Sequence, residues 1–359
     1  MAAAANPLTI NLALQGGGAH GAFTWGVLDR LLEEPGLAVE GISGTSAGAM
    51  NAAVLAQGYA RGGPDGARAA LDRFWTRIGD HAVISPIRRT WIDRLLGRWN
   101  VDASPTALMF DLMVRLVSPY QANPLGLSPL RGVLEETIDF SALAAPGAPK
   151  LFVSTTNART GELHVFAGAA VTADVLLASA CLPFLFHAVE IGGDPHWDGG
   201  YTANPALAPL IRDCTSPDMV VVKVNPVRRD GTPRTAAEIM NRVNEVSFNA
   251  AILQEMRTIE AMQSLLDDAD VAGNPTLARI RAARIHVVAA DEELADMGVA
   301  SKMNPEPDFL HHLKALGRAR ADGWLRETRG ALGRRSTAGS GSDYVGACGG
   351  RPAPRRRTA

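Results

Sequence analysis

The pentapeptide Gly44-Thr45-Ser46-Ala47-Gly48 separates a short apolar run, residues 37–43, from an Ala-rich run, residues 49–59. The first run predicts a β-strand and the second a helix. A serine on a tight turn between a strand and a helix is the arrangement of a nucleophile elbow. The flanking glycines let the backbone turn sharply, and the helix N-terminus offers free N–H groups to a developing oxyanion. We therefore predict that Ser46 is a catalytic nucleophile.

Three consecutive glycines, Gly16, Gly17 and Gly18, follow the apolar run 8–14 and come just before a predicted helix, residues 22–33. Glycines at a strand end leave backbone N–H groups uncovered, which is typical of an anion-binding loop. One strand–helix unit separates this loop from the elbow serine. Because the carboxyl ends of neighbouring parallel strands lie on the same edge of a sheet, we expect the loop to face that serine across a crevice.

A third motif, Asp198-Gly199-Gly200, follows the apolar stretch 184–191. A serine hydroxyl is a weak nucleophile and needs a base within hydrogen-bond reach. An ordinary Asp, with a pKa of about 4, is a poor base, but burial in a crevice of low dielectric would raise that pKa. The motif therefore offers Asp198 as the base for Ser46.

The order of these motifs, a glycine loop, an elbow serine and a distant Asp-Gly-Gly, resembles the patatin-like phospholipase family. The resemblance covers roughly residues 8–210 and includes the run 179–184 and Asn204-Pro205. It implies a three-layer α/β fold with a mainly parallel central sheet and helices on both faces. It also implies a lipid acyl hydrolase, of the phospholipase A, lysophospholipase or esterase type, that acts without a metal or cofactor.

The same resemblance assigns a role to each residue of the motifs. Ser46 would attack the substrate, and Asp198 would be its partner in a dyad without histidine. The oxyanion loop would comprise Gly16, Gly17 and Gly18. The remaining motif residues would support this site: His20, Gly44, Ala47, Gly48, Gly199 and Gly200.

His20 departs from the family, which often has Arg or Lys at this position. A fixed positive charge beside the oxyanion loop is therefore not assured. A histidine carries a charge only below its pKa, so we hypothesise that His20 is a pH-dependent substitute for the cation. Activity on anionic phospholipid would then fall as pH rises through the pKa of His20.

A nucleotide- or phosphate-binding module is one competing interpretation. Gly16, Gly18 and Gly21 also satisfy the spacing G-x-G-x-x-G, and Glu40 lies about where a ribose-binding acid would stand. This interpretation explains the first strand–helix unit but neither the elbow serine nor the Asp-Gly-Gly motif.

Two further interpretations concern the chemistry. A triad of Ser46, an acid and a later histidine, His286 or His311, would indicate an α/β-hydrolase, and His196 is a helper candidate two residues before Asp198. A chain that keeps the fold but has no turnover would be a non-catalytic lipid-binding protein.

The composition is typical of a globular enzyme. The chain has 359 residues, 47% of them hydrophobic, enough for one large domain. Its formal net charge of −2 provides no general positive field for binding nucleic acid. The cysteines Cys181, Cys214 and Cys348 are widely spaced and predict neither a disulfide framework nor a metal site. The oligomeric state does not follow from the sequence.

Strand patterns alternate with helical patterns along the chain, which predicts an α/β layered fold. Residues 151–157 and 163–166 read as a hairpin, and the β-branched run 219–224 suits a strand buried on both faces. The later predicted elements are a helix over 235–267, a strand over 285–289 and a helix over 309–325.

The chain divides into one domain with short terminal extensions. Residues 1–7 show no secretory signal, and the longest apolar run is too short to span a bilayer, which predicts a cytoplasmic protein. The acyl hydrolase domain would cover residues 8–334, with a helical C-terminal part at 234–334. From residue 335 the composition turns to Ser, Gly, Pro and Arg, which predicts a disordered tail over 335–359.

The segment 84–130 follows the elbow unit, and its prolines disfavour regular structure, so it is the predicted lid. Within it, a helix over 89–99 would present two tryptophans and three aliphatic side chains on one face, flanked by arginines. This pattern is typical of a helix in a membrane interface, and also of an ordinary helix that covers the core. Residues 89–99 are therefore the candidate for peripheral membrane contact.

Overall fold

The computed structural model describes residues 7–81, 99, 109, 113, 116–229, 231–271 and 273–338. Most of the predicted lid, the membrane-contact candidate apart from Trp99, and the tail from residue 339 lie outside the described residues. The described strands are β1 (Leu8–Leu14), β2 (Leu37–Gly44), β3 (Lys150–Asn157), β4 (Leu163–Ala167), β5 (Val189–Ile191), β6 (Asp194–Asp198), β7 (Asp218–Lys223) and β8 (Arg284–Ala289).

These strands join one sheet in the order β5-β6-β3-β2-β1-β7-β8, with β4 paired to β3. The neighbours from β3 to β8 along this order are parallel, whereas β4, β5 and β6 add antiparallel pairs at one end. Parallel strands place their carboxyl ends on a common edge, and Leu14 at the end of β1 pairs with Gly44 at the end of β2. The glycine loop and the elbow therefore lie side by side, as predicted.

Helices cover both faces of the sheet. In the described ranges none of them has the length and apolar character needed to cross a bilayer. They are α1 (Gly21–Leu31), α2 (Ala47–Asp80), α3 (Pro119–Ala122), α4 (Pro129–Thr137), α5 (Ala173–Ser179), α6 (Ala208–Asp213), α7 (Ala236–Leu266), α8 (Pro275–Ala282) and α9 (Pro307–Thr328).

The alternating side chains of β1 show how the layers are built. Leu12 and Leu14 enter the larger core together with buried side chains of α1, α2 and α9. Ala13 points to the other face and joins a second core with Ile252 and Met256 of α7. A mainly parallel sheet between two helical layers is the three-layer α/β fold expected from the sequence.

Local sequence explains several of these elements. Strand β7, which contains most of the β-branched run 219–224, is buried along its whole length, as expected of a central parallel strand. The predicted hairpin forms as β3 and β4. Helix α7 begins with a capping box, in which Thr235 Oγ1 accepts from the N–H of Glu238 at 3.2 Å and the Glu238 carboxylate accepts from the N–H of Thr235 at 3.0 Å.

Residues 336–338, which the sequence assigns to the tail, lie against β8. Ser336 Oγ accepts from the N–H of Ile285 at 3.2 Å, and the N–H groups of Thr337 and Ala338 donate to the Ile285 carbonyl at 3.2 and 3.1 Å. Residues 336–338, which lie beyond the predicted domain end at residue 334, thus contact the central sheet.

Candidate active site

Ser46 occupies a backbone conformation that a side chain rarely adopts. Its φ of +56° and ψ of −126° place it in the sharp turn between the end of β2 and the start of α2. Among the described residues it is the one non-glycine residue with a positive φ. Such strain persists only where the surrounding structure enforces it, and it is frequent at catalytic positions.

The glycines of the elbow are required by close backbone packing. A Cβ atom on Gly48 would lie 2.1 Å from the carbonyl oxygen of Leu14, and one on Gly44 would lie 2.6 Å from the carbonyl oxygen of Gly48. The turn is therefore pressed against the end of β1, and this contact sets the height of Ser46 above the sheet.

Two buried serines hold the elbow backbone from the other side. The N–H of Ser46 donates to Ser179 Oγ at 2.9 Å, and the Ser179 hydroxyl donates to the carbonyl of Ser154 in β3 at 2.7 Å. The role of Ser179 does not follow from the sequence run 179–184 that contains it. The contact joins residues 133 positions apart, so no pattern within the run could reveal it.

Asp198 stands at the end of β6 and is 1% exposed. Its Oδ1 accepts from the N–H of Gly200 at 2.7 Å, and the side chain of Ser46 is near enough to favour its ionised form. Burial raises the pKa of Asp198 to about 7, against the opposing effects of the Gly200 N–H, the Ser46 side chain and the positive charge of Lys302. A carboxylate with this pKa can accept a proton near neutral pH.

The glycine loop lies directly beside the elbow, since a Cβ atom on Gly16 would be 2.7 Å from Cβ of Ser46. The N–H of Gly16 is already used, because it donates to Asn204 Oδ1 at 2.7 Å. The expectation that all three glycines offer free donors is therefore wrong for Gly16. Within the described part of the chain, the N–H groups of Gly17 and Gly18 donate to no protein acceptor.

His20 cannot act as the pH-dependent cation that we hypothesised. It is buried, and its Nε2 lies 2.7 Å from Ser301 Oγ, whose hydroxyl donates to the carbonyl of Gly298. Nε2 must therefore donate, which leaves Nδ1 as an acceptor with no hydrogen-bond partner. Burial first, and then the positive charges of Lys302 and Arg229, lower the pKa of His20 to about 3, so it is neutral at physiological pH.

A lysine from the C-terminal part brings positive charge to the loop instead. Lys302 Nζ donates to Asn225 Oδ1 and to Asn244 Oδ1, both at 2.7 Å. The backbone of Lys302 also packs on Gly18, where a Cβ atom would lie 2.3 Å from the Lys302 carbonyl oxygen. No local sequence pattern around residue 302 indicates that this lysine belongs to the site.

The histidines of the competing triad lie elsewhere. His286 Nε2 is 3.0 Å from Asp218 Oδ1, at the amino end of β7 and therefore at the opposite edge of the sheet from Ser46. His311, on α9, packs its ring against Trp25. His196 is buried with Nδ1 2.9 Å from Thr155 Oγ1. Among the described residues, none of the three histidines is hydrogen-bonded to Ser46.

Glu40 also lies away from the glycine loop. Its carboxylate accepts from the N–H groups of Thr215 and Ser216 at 2.7 and 2.8 Å, just before β7 begins. It thus sits toward the amino ends of the strands, whereas the glycine loop follows the carboxyl end of β1. The dinucleotide interpretation, which needs both at one site, is therefore not supported.

Metal ligands do not gather at the site. In the portions of the chain that the structure describes, no group of three or more His, Cys, Asp or Glu side chains is arranged to hold a metal ion. The cysteine nearest the site, Cys181, is buried, and its carbonyl accepts from the N–H of Asp198 at 2.8 Å.

Comparisons with known proteins identify the family of the chain. The family model described as "Patatin-like phospholipase" matches residues 12–211, which contain the glycine loop, the elbow and the Asp-Gly-Gly motif. Among solved structures, VipD from Legionella pneumophila is similar, with 18% sequence identity and a TM-score of 0.42 over 90% of this chain and 67% of that one. No curated protein sequence matches significantly. The chain belongs to the patatin-like phospholipase family, whose members are lipid acyl hydrolases.

Proposed function

We propose that this protein hydrolyses carboxylic esters of lipids through a dyad of Ser46 and Asp198. One observation carries the proposal: the strained elbow serine lies beside a buried carboxylate, Asp198, whose pKa burial raises to about 7 and on which the Ser46 side chain acts. A nucleophile paired with a base of matched pKa is the arrangement that covalent ester hydrolysis requires.

In the first half-reaction, Ser46 Oγ attacks the ester carbonyl carbon while its proton passes to Asp198. The carbonyl oxygen becomes an oxyanion and needs donors that no protein acceptor already occupies. The N–H groups of Gly17, Gly18 and Ala47 meet this condition among the described residues, whereas those of Gly16 and Ser46 are engaged. The C–O bond to the leaving group then breaks, and Asp198 returns the proton to the departing alcohol oxygen.

In the second half-reaction, water hydrolyses the acyl group on Ser46. Asp198, again a carboxylate, takes a proton from water as the water oxygen attacks the acyl carbon. The same N–H groups bind the second oxyanion. When the bond to Ser46 Oγ breaks, Asp198 gives the proton back to the serine and the fatty acid leaves. One aspartate thus acts as base and acid in turn, which its pKa near neutrality favours.

Exposed aromatic side chains near Asp198 favour a lipid over a small polar ester. Tyr201 lies three residues after Asp198, and Phe184 belongs to the loop that begins at Cys181. Phe184 is 68% exposed and Tyr201 43% exposed, so both offer apolar surface to an acyl chain. The lid at 84–130 and the membrane contact at 89–99 stay predictions.

The substrate proposal is tested with a panel of esters. Purified protein is incubated separately with phosphatidylcholine vesicles, lysophosphatidylcholine, diacylglycerol and a short-chain nitrophenyl ester, and free fatty acid is measured by mass spectrometry. We expect turnover of at least one long-chain lipid, with Ser46→Ala inactive on the same panel. Release of a phosphorylated headgroup with no fatty acid, or no turnover on any ester, would contradict the proposal.

We expect kcat/KM for ester hydrolysis to rise with pH and to level off above about pH 7. The carboxylate form of Asp198 must accept the proton, and burial holds its pKa near that value. The rate is measured from pH 4 to 9 on an uncharged ester, so that the substrate does not titrate, and the rate of Ser46→Ala is subtracted. A midpoint near pH 4 would mean that Asp198 is not the base or is not buried during turnover.

A further inference from the structure

The polar groups behind the glycine loop form a chain that ends at one ammonium group. Gly16 is held at both of its backbone groups: its N–H donates to Asn204, and its carbonyl accepts from Asn225 Nδ2 at 2.8 Å. Asn225 in turn accepts from Lys302 Nζ through its Oδ1 at 2.7 Å. Lys302 therefore orients the amide that fixes the carbonyl of Gly16.

This chain determines where one of the proposed oxyanion donors points. In a trans peptide the C=O and the following N–H project in opposite directions. Because the carbonyl of Gly16 points to Asn225, the N–H of Gly17 points away from Asn225 and remains unoccupied by the described residues. The loop is further confined by the contact between Gly18 and the carbonyl of Lys302.

The same ammonium group lies near Asp198. Its Nζ is 5.8 Å from the ring centroid of Phe248, and a Cβ atom on Gly200 would lie 2.4 Å from that ring and 2.9 Å from Asp198 Oδ1. The positive charge of Lys302 favours the ionised form of the Asp198 carboxylate.

The other groups near this carboxylate carry no charge at neutral pH. Ser46 has a neutral hydroxyl, and Cys181 and Tyr201 both have a pKa raised to about 12, by burial and then by the charge of Asp198. Among the described groups that act on the pKa of Asp198, Lys302 is the one that carries a positive charge.

The charges around Lys302 itself leave it protonated at neutral pH. Burial lowers the pKa of Lys302 to about 8, while Glu245 and Asp198 oppose this change and Arg229 adds to it. Glu245 is already paired with two arginines, Arg229 at 3.0 Å and Arg242 at 3.1 Å. Neutral His20 adds no charge.

We propose that Lys302 is a positioning residue for the Ser46–Asp198 reaction: through Asn225 it orients the Gly16–Gly17 peptide, and its charge favours the ionised carboxylate of Asp198. This inference rests on the function proposed above. His20 is neutral and does not supply a positive charge to the glycine loop. Lys302 supplies it instead, from the C-terminal part of the chain and outside residues 12–211 that match the family model.

The test measures the titration of Asp198 directly and so does not depend on turnover. Protein labelled with ¹³C at the aspartate carboxyl carbons is titrated by NMR, and the Asp198 signal is the one missing from Asp198→Asn. Native protein is compared with Lys302→Met, which removes the charge at similar length, and Lys302→Arg, which keeps it. We expect the pKa of Asp198 to rise by about one pH unit in Lys302→Met and to change little in Lys302→Arg.

Each outcome decides the proposal. An unchanged pKa of Asp198 in folded Lys302→Met overturns it, and so does an equal rise in both variants, because packing rather than charge would then be responsible. If Lys302→Met does not fold, Lys302→Gln serves in its place, since its amide can still donate to Asn225. Where esters are hydrolysed, the acid limb of kcat/KM should move to higher pH in the neutral variant alone. A protein without hydrolysis would refute the proposed function, while the NMR titration would still decide the role of Lys302.

Discussion

Ser46→Ala and Asp198→Asn should each lower ester hydrolysis by at least about 10⁴-fold, because nucleophile and base act as one unit. Alanine removes the attacking oxygen. Asparagine keeps the shape of Asp198 and can still accept from the N–H of Gly200, but it cannot take the proton of Ser46. The rates are measured as initial velocities of fatty acid release on the best ester of the panel.

Matched controls separate this loss from a loss of folding. Asp174→Asn makes the same chemical change at a half-exposed position at the start of α5, where the carboxylate pairs with Arg131, and its rate should stay close to that of the native protein. All variants should show cooperative thermal unfolding. Full activity in Asp198→Asn would reject the dyad, and activity in Ser46→Ala would reject the elbow serine as the nucleophile.

The second large effect is expected at Gly48. Replacement by alanine would place Cβ 2.1 Å from the carbonyl oxygen of Leu14, and neither backbone can move without shifting β1 or α2. We expect Gly48→Ala to lower the free energy of unfolding by about 3 kcal/mol and to impair hydrolysis through displacement of Ser46. Denaturant unfolding followed by circular dichroism measures the first effect.

Gly132→Ala is the control for this substitution. Gly132 lies within α4 with nothing within 4 Å of the position that a Cβ atom would take. Alanine there should leave stability unchanged or raise it by up to about 1 kcal/mol, since alanine is the better helix former. Equal stability of Gly48→Ala and Gly132→Ala would show that the elbow is not pressed against β1 as described.

The parts of the site that follow from local chemistry could be predicted from the sequence. A serine between two glycines at a strand–helix junction has few other conformations, and the φ of +56° at Ser46 is the expected result. The parallel strands were predicted for a similar reason, because continuous apolar runs such as that of β7 suit burial on both faces.

The parts that depend on distant contacts could not be predicted. Asn204 occupies the N–H of Gly16 from 188 residues away, and the ammonium of Lys302 reaches Asn225 across 77 residues. His20 shows the same limit in another way. Its sequence position suggested a titratable cation, but its burial among residues of the C-terminal part lowers its pKa to about 3. Burial is a property of the tertiary structure, and no window of sequence around His20 contains it.

Covalent labelling tests the central claim, an activated Ser46, most directly. Native protein, Ser46→Ala and Asp198→Asn are each treated with a fluorophosphonate probe at pH 7.5, and adducts are counted by intact-mass spectrometry. We predict one adduct per native chain, none on Ser46→Ala and greatly slowed labelling of Asp198→Asn. An equal adduct on Ser46→Ala, or no adduct on folded native protein with or without lipid vesicles, would contradict the account.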